Sequence, residues 1–371
     1  IKNNELAFGI EEERINRIKH WAGLPIESIR ECLLKTNTKL SEVTEITVNT
    51  NPTSNILQKG IFFLNHYIKG KKKYEIFERL KKKLNIINEI NKSFLPDKIS
   101  KKVKIRYVDH HLSHISSAFY PSEFKKAVGL SIDGFGDFVS VAIAECDTNN
   151  IKIIKKKFFP NSLGVFYEAF TQLAGFNNYG DEYKFMGLSS YGKPIYSKLI
   201  KEKIFKNFDK LELNLDFFNH TNKNYVYKFS GAPKQDTIFN EKILDLFEVS
   251  SFEEIKKYEE LKKNIASSVQ NVFEDKLIQI CKEIKNLKFS NNLVYAGGCA
   301  LNSLANKKII ESKIFDNVFI PYSPGDGGGS IGSAVYTFKK KNNNFINNLK
   351  TPYIGPSFNN EEIKNIINKD F

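Results

Sequence analysis

The sequence predicts an α/β protein built as two related lobes facing a cleft. Three observations carry that expectation. First, KAVGLSIDG (126–134), FVSVAIAEC (138–146) and NIKIIKKKFFP (150–160) are apolar or alternating segments separated by short turns, which is the pattern of an antiparallel meander. Second, NLVYAGGCALN (292–302) and NVFIPYSPGDGGGSIGSAVYTF (317–338) each run from a strand through a Gly turn into a helix. Third, the first half holds the same ingredients in outline, so the design is present twice. A length of 371 residues exceeds one compact core and suits two packed domains.

In chain order, ELAFGIEE (5–12) reads as a short strand. Residues 26–36 follow Pro25 as a helix, with Ile26, Ile29, Leu33 and Leu34 on one face. TEITVN (45–50) alternates and is β-branched, so it is a strand. Residues 55–95 are Lys-rich and amphipathic and read as helices or an insertion. VKIRYVDHH (103–111) is a strand running into His, and LSHISSAFY (112–120) continues as helix. A second half begins near Lys126 with the meander; helical stretches follow at 163–175 and 252–285. The first half has no opening strand of its own, and this is expected upstream of Ile1. The sole methionine is Met186, which likewise places the natural start upstream.

Composition excludes several classes. Lys plus Arg number 56 and Asp plus Glu 42, a formal charge of +14. With 41% hydrophobic and 13% aromatic residues the chain has enough apolar side chain for a core, which excludes global disorder. The four cysteines, Cys32, Cys146, Cys281 and Cys299, form no CxxC pair, so neither a disulfide framework nor a zinc ribbon is expected and a reducing, cytoplasmic setting is the default. No run of about 18 apolar residues exists to span a membrane. The N-terminal IKNNELAFGIEEER is acidic and polar, unlike a secretory leader. The positive charge comes in scattered lysine runs (71–73, 81–83, 155–157, 339–341) among Asn and Ile. A solvated surface accounts for these better than a nucleic-acid footprint, which needs Arg interleaved with aromatics.

Four constellations carry chemistry. Three of the six histidines fall in Asp109-His110-His111-Leu112-Ser113-His114. On a helix His110 and His114 are i and i+4, so their imidazoles share one face and form half of a transition-metal site. His111 occupies the Glu position of HExxH, which removes a zincin's general base. The plainer reading is a polar helix start capped by Asp109. Asp133-Gly134-Phe135-Gly136-Asp137 ends an apolar strand: Gly134 and Gly136 admit a phosphate close to backbone N–H groups and the carboxylate suits a metal, although Asp-Gly also favours a hairpin turn. Ala296-Gly297-Gly298-Cys299-Ala300-Leu301-Asn302 is a Gly pair at a strand end, a weak nucleotide-facing turn. Cys299 reads as a small buried side chain. Pro324 to Gly332 contains a formal GxGxxG, but no acid-ended strand follows as a dinucleotide fold requires. Asp326, placed at a strand tip, is better taken as a metal or ribose ligand, with Gly327 and Gly328 bringing backbone against a nucleotide. GLSSYGKP (187–194) nearly spells a Walker A loop, but Pro194 stands where a Mg²⁺-binding hydroxyl must be. The polar run Gly180 to Lys184 is either a cleft lining that holds an acceptor or a solvated loop.

Together these blocks resemble the carbamoyltransferase family typified by nodulation and antibiotic O-carbamoyltransferases. EEERINRIKH looks like the family's EEERFSRxKH, and DHHLSHISSAFYPSEF like its DHHxxHxxSAF block. NSLGVFYEAFTQLAGFNNYGDEYKFMGLSSYGKP looks like its long central signature, and AGGCALN with PYSPGDGGGSIGSA like its closing pair. The order of four blocks across residues 5 to about 358 makes the resemblance specific. It implies a Kae1-like fold: duplicated actin–Hsp70–sugar kinase (RNase H-like) lobes at 1–125, with a helical insertion near 55–100, and at 126–350. A linker at 351–371 would lead toward an absent C-terminal YrdC-like domain. The resemblance implies carbamoyl-adenylate, made from ATP and carbamoyl phosphate in that absent domain, and transfer of its carbamoyl group to a hydroxyl of a small-molecule acceptor such as a sugar or natural product. It assigns the metal to His110, His114, Asp133 and Asp326, and the nucleotide to Gly297, Gly298 and Asn302. Family precedent favours Fe²⁺; the mixed N and O donors also suit Mn²⁺ or Zn²⁺, and Mg²⁺ is a further candidate. His111 is a candidate general base for the acceptor. A homodimer is implied as well. Lacking the second domain, the chain is expected not to release pyrophosphate from ATP and carbamoyl phosphate. Two alternatives stand: a tRNA threonylcarbamoyl transferase, and a non-catalytic nucleotide- and metal-binding module.

Overall fold

The computed structural model describes residues 1–67, 85–222, 225–228, 231–342 and 351–370. The expected run near 55–100 therefore lies partly outside the described residues, as do the lysines at 71–73 and 81–83. In chain order the first part holds α1 (Glu12–Asn16), α2 (Ile26–Lys35), β1 (Glu45–Val48), α3 (Ile56–Tyr67), α4 (Ile86–Ser93), β2 (Lys104–Tyr107) and α5 (His110–Phe119). Then come β3 (Lys126–Gly136), β4 (Val139–Asp147), β5 (Ile151–Phe158), α6 (Leu163–Leu173), α7 (Glu182–Ser189) and α8 (Ser197–Ile204). Two small hairpins follow, β6–β7 (Phe205–Asn207 with Glu212–Leu213) and β8–β9 (Tyr227–Lys228 with Lys234–Gln235). The last stretch is α9 (Lys242–Leu246), α10 (Phe252–Lys257), α11 (Glu259–Lys285), β10 (Asn292–Ala296), α12 (Ser303–Glu311), β11 (Asn317–Phe319), α13 (Asp326–Lys339) and α14 (Asn360–Asp370).

The main sheet is mixed, in the order β11-β10-β3-β4-β5, with β3 paired parallel to β10 and antiparallel to β4. The meander and both strand–turn–helix units thus meet in one sheet around β3. Ala127 to Ile132 on β3 are all buried, because helices cover both faces. Such a strand reads as a continuous apolar run without alternation. On one face Ile115, Ala118 and Phe119 of α5 pack on Ala127, Val139 and Ala142. On the other, Leu163 and Phe166 of α6 and Val269 and Phe273 of α11 pack on Val128, Leu130 and Ile132. β1 and β2 form a separate parallel pair. That pair is the only sheet in the first 120 residues among those described.

The edge strand β5 accounts for one lysine run. Lys155 reaches Glu283, Lys156 reaches Asn55 and Asp109, and Lys157 donates to Lys210 O. Charged side chains on an edge strand block pairing with another sheet, so these lysines have a structural use. Two expected elements differ. ELAFGIEE forms no named strand: Glu5 exchanges two backbone hydrogen bonds with Lys2 in an isolated bridge, Gly9 N–H donates to Ile354 O (3.0 Å), and Leu6 is buried beside Val335 of α13. The helix over 252–285 breaks at Tyr258, whose extended φ/ψ of −79°/93° separates α10 from α11. No helix of the described residues is long and apolar enough to cross a membrane.

Candidate metal centre

Three elements bring the site together. α5 projects His110 and His114, the end of β3 carries Asp133, and Asp326 is the first residue of α13. Asp326 thus opens a helix and does not sit at a strand tip, since β11 ends at Phe319. Its position is held by Gly297 N–H to Pro324 O (2.8 Å), which ties the turn after β10 to the loop before α13.

Both Nε2 atoms lie 3.0 Å from Asp133 Oδ2 and 3.0 Å from each other. Asp326 Oδ1 stands 3.5 Å from His110 Nε2 and 3.4 Å from His114 Nε2. One ligand atom from each of the four residues falls within 4.8 Å of the others. Donor atoms about 2.0–2.1 Å from a central ion in a tetrahedron are about 3.3 Å apart, so the spacing fits a first-row metal. Burial lowers the His114 pKa, but the bonds to Asp133 and Asp326 outweigh it and raise it to about 9. Burial pushes the Asp133 carboxyl up, and the two histidines override that and hold it well below the carboxylate range. A field that holds a proton between carboxylates this way also attracts a metal cation. The centre is closed at His114, whose side chain is 1% exposed, and open at Asp326, whose side chain is 65% exposed.

The surroundings fix the histidines. Asp137 accepts from His110 N–H (2.8 Å), Thr50 Oγ1 (2.6 Å) and Asn51 N–H (2.8 Å), so it caps α5 from the β3–β4 turn. Asp109, the expected cap, makes no such bond and instead accepts from Asn51 Nδ2 and Ser54 Oγ. Asp137 and Phe138 have φ of 49° and 73°, both left-handed, so the Asp133–Asp137 segment forms a hairpin turn and also supplies a site carboxylate.

His111 does not suit the base role expected of it. Its ring is buried, Nε2 donates to Val139 O (2.8 Å), and Nδ1 accepts from Ser131 Oγ (2.8 Å). Burial and the neighbouring histidines push it down to about 3, so both nitrogens are committed in the neutral ring. A residue between i and i+4 points away from their shared face.

The glycines lie around the centre, several for packing reasons. Gly134 N–H turns to Asp133 Oδ1 (2.8 Å). A Cβ at Gly136 would sit 2.0 Å from the His110 ring, and one at Gly298 2.8 Å from Asp133 Oδ1. Gly297, at φ 96°, would place a Cβ 2.2 Å from Ile132 O. Gly327 adjoins Glu11, and Gly328 is pressed on Ser323 O. Asn302 caps α12 through Ala305 N–H (3.0 Å) and exchanges two hydrogen bonds with Gln270.

Two tyrosines and an acid that the sequence did not single out, Tyr179, Tyr227 and Glu168, lie near the centre. Phe135 stacks near Tyr227, with ring centroids 6.2 Å apart. Tyr227 feels the charges of Glu168 and Asp326, and Tyr179 those of Asp326, Glu168, Asp133 and Glu182. Glu168 was legible as a lone acid in the apolar helix LGVFYEAF, a signal that only its tertiary neighbours make meaningful.

The Carbamoyltransferase N-terminus family model matches residues 1–335. The chain belongs to the carbamoyltransferase family. It is 30% identical over 383 residues to an uncharacterized protein of Synechocystis sp., covering 98% of this chain and 59% of that protein. It is 26% identical to the nodulation protein NolNO of Sinorhizobium fredii, covering 90% of this chain and 45% of NolNO. The chain thus spans about 59% of the length of the first curated relatives it matches. A crystal structure of full-length HypF, in the phosphate- and nucleotide-bound form, aligns with 71% of this chain and 42% of HypF. Its TM-score is 0.34 and its identity 18%, too low to carry an argument.

Proposed function

We propose that this chain moves a carbamoyl group from carbamoyl-adenylate to a hydroxyl of a sugar or natural-product acceptor. The observation that carries the reading is the convergence of His110, His114, Asp133 and Asp326 beside an open edge, in a member of the carbamoyltransferase family. The duplicated actin-like lobes, the divisions near 125 and 350, and the ATP-derived donor belong to the same proposal. His110, His114, Asp133 and Asp326 would hold Fe²⁺, or Mn²⁺ or Zn²⁺, and such an ion supplies charge neutralisation for the donor phosphate and polarisation of the carbamoyl carbonyl.

The protein's own groups prepare that chemistry. Asp137 and the Ser131–His111 bond fix the register of α5, so the two imidazoles need little reorganisation on binding. Asp133 stays ionised under the field of both histidines and keeps negative charge at the centre. The 65% exposure of the Asp326 side chain leaves that side of the centre accessible to the donor and acceptor.

The test is metal content beside transfer. The protein purified anaerobically is expected to bind roughly one equivalent of iron, manganese or zinc, and a His110→Ala, His114→Ala double variant to bind none. With carbamoyl-adenylate supplied directly, AMP release above the spontaneous rate should disappear in the same variant. A parent that binds no metal after loading, or a variant that keeps full transfer, overturns the reading.

A further inference from the structure

We propose that Glu168 is the catalytic base that takes the proton from the acceptor hydroxyl, an inference that rests on the transfer reading above. The placement of α6 carries it. Ser162 Oγ lies 3.0 Å from Asp133 O and 2.6 Å from Gly134 O, and it caps α6 through Val165 N–H (3.1 Å). A Cβ at Gly164 would lie 2.6 Å from Gly134 N and 2.8 Å from Asp133 O, so the first turn of α6 rests on the end of β3. Glu168 is four residues on, over the same face. Helical side chains lean toward the N-terminus, so Glu168 leans back over Gly164, which has no side chain to intervene, toward Asp133.

The environment of the carboxyl fits the task. Gln235 Nε2 donates to Glu168 Oε1, which fixes the group and leaves Oε2 for a ligand. Tyr227, its hydroxyl pushed up mainly by burial, also feels the charges of Glu168 and of Asp326, so it neighbours both acids. Burial and the charges of Glu182 and Asp133 raise the group to about 8, against the bond from Gln235. A base in that range suits proton transfer near neutral pH. Of the other groups nearby, Asp133 and Asp326 belong to the cation site and His111 to Ser131 and Val139; Glu182 is a further acid, at the start of α7, raised by burial and by Asp181 and Asp133.

The step balances as follows. The acceptor oxygen bonds to the carbamoyl carbon, and its O–H proton passes to the Glu168 carboxylate. The bond from that carbon to the adenylate phosphate oxygen breaks, and AMP leaves with the electron pair. Glu168 then returns the proton to solvent.

The experiment compares the parent with Glu168→Gln, which keeps the shape and the bond from Gln235. Carbamoyl-adenylate is supplied directly and AMP release is followed with three probes: water alone, a panel of glucose, galactose and N-acetylglucosamine, and hydroxylamine. Hydroxylamine attacks as a neutral amine and needs no base to make it nucleophilic. The variant is expected to lose about 10²–10⁴-fold toward water and sugars and about tenfold or less toward hydroxylamine, with metal content retained. Parent-like rates toward water and sugars, or an equal loss toward all three probes, overturn the assignment of Glu168. A parent that accelerates AMP release toward no hydroxyl overturns the transfer reading itself, and the role of Glu168 with it.

Discussion

His220 and His111 show how burial decides the work of a histidine that sequence alone cannot rank. His220 lies between the rings of Phe159 and Phe218 and donates from Nε2 to Pro160 O (3.2 Å). Burial lowers it to about 4, so the folded chain refuses a proton that the unfolded chain takes up near pH 6.5. The sign follows: its contribution is whole above pH 6.5 and fades as pH falls toward 4, a loss of about 3 kcal/mol. Thermal unfolding across that window should show it. His220→Phe, which fits between the two rings, should flatten the acid side of the profile, and an unchanged acid slope would assign the loss to other groups. At the centre itself, Asp137 shows the reverse: an exposed-looking turn acid whose three accepted bonds fix the start of α5.

At the scale of elements, the site depends on how closely α5 and α13 approach. A Cβ at Gly332 would fall 1.8 Å from Ser113 O and 2.8 Å from Ser117 N. The last glycine of the formal GxGxxG therefore lets two helices touch along their backbones. Gly332→Ala should destabilise the chain by about 1–3 kcal/mol, because the helices must move apart to admit the methyl. It should also weaken metal binding, since His110 and His114 ride on one helix and Asp326 on the other. Denaturant unfolding and metal titration of the variant check both; loss of stability with unchanged metal affinity would show that the helices shift without disturbing the four ligands. A second tie, Lys276 Nζ to Phe208 O and Asp209 O (both 2.7 Å), fastens the β6–β7 hairpin to α11.

At the scale of the whole molecule, the centre joins segments far apart in sequence: residues 110–114, 133 and 326. A ligand that binds such a junction only when the chain is folded stabilises the fold as a whole. At a free metal concentration 100 times the Kd the gain is about 2.7 kcal/mol, so thermal unfolding should move up with added Fe²⁺, Mn²⁺ or Zn²⁺. The His110→Ala, His114→Ala variant should show no such rise. An equal rise in the variant would place the stabilising ion elsewhere.

The sequence by itself determined the strands of the meander, the two strand–turn–helix units, the pairing of His110 with His114 and the family. These are local: apolar periodicity, turn residues and i,i+4 spacing depend on neighbours within a few positions. The tertiary structure alone decided which side chains those elements present to one another. It turned His111 into the core, gave the capping of α5 to Asp137, set Asp326 at a helix start and rested the first turn of α6 on the end of β3. It also left ELAFGIEE without a partner strand. Each of those outcomes depends on contacts between segments tens to hundreds of residues apart, and such contacts leave no period in the sequence to read.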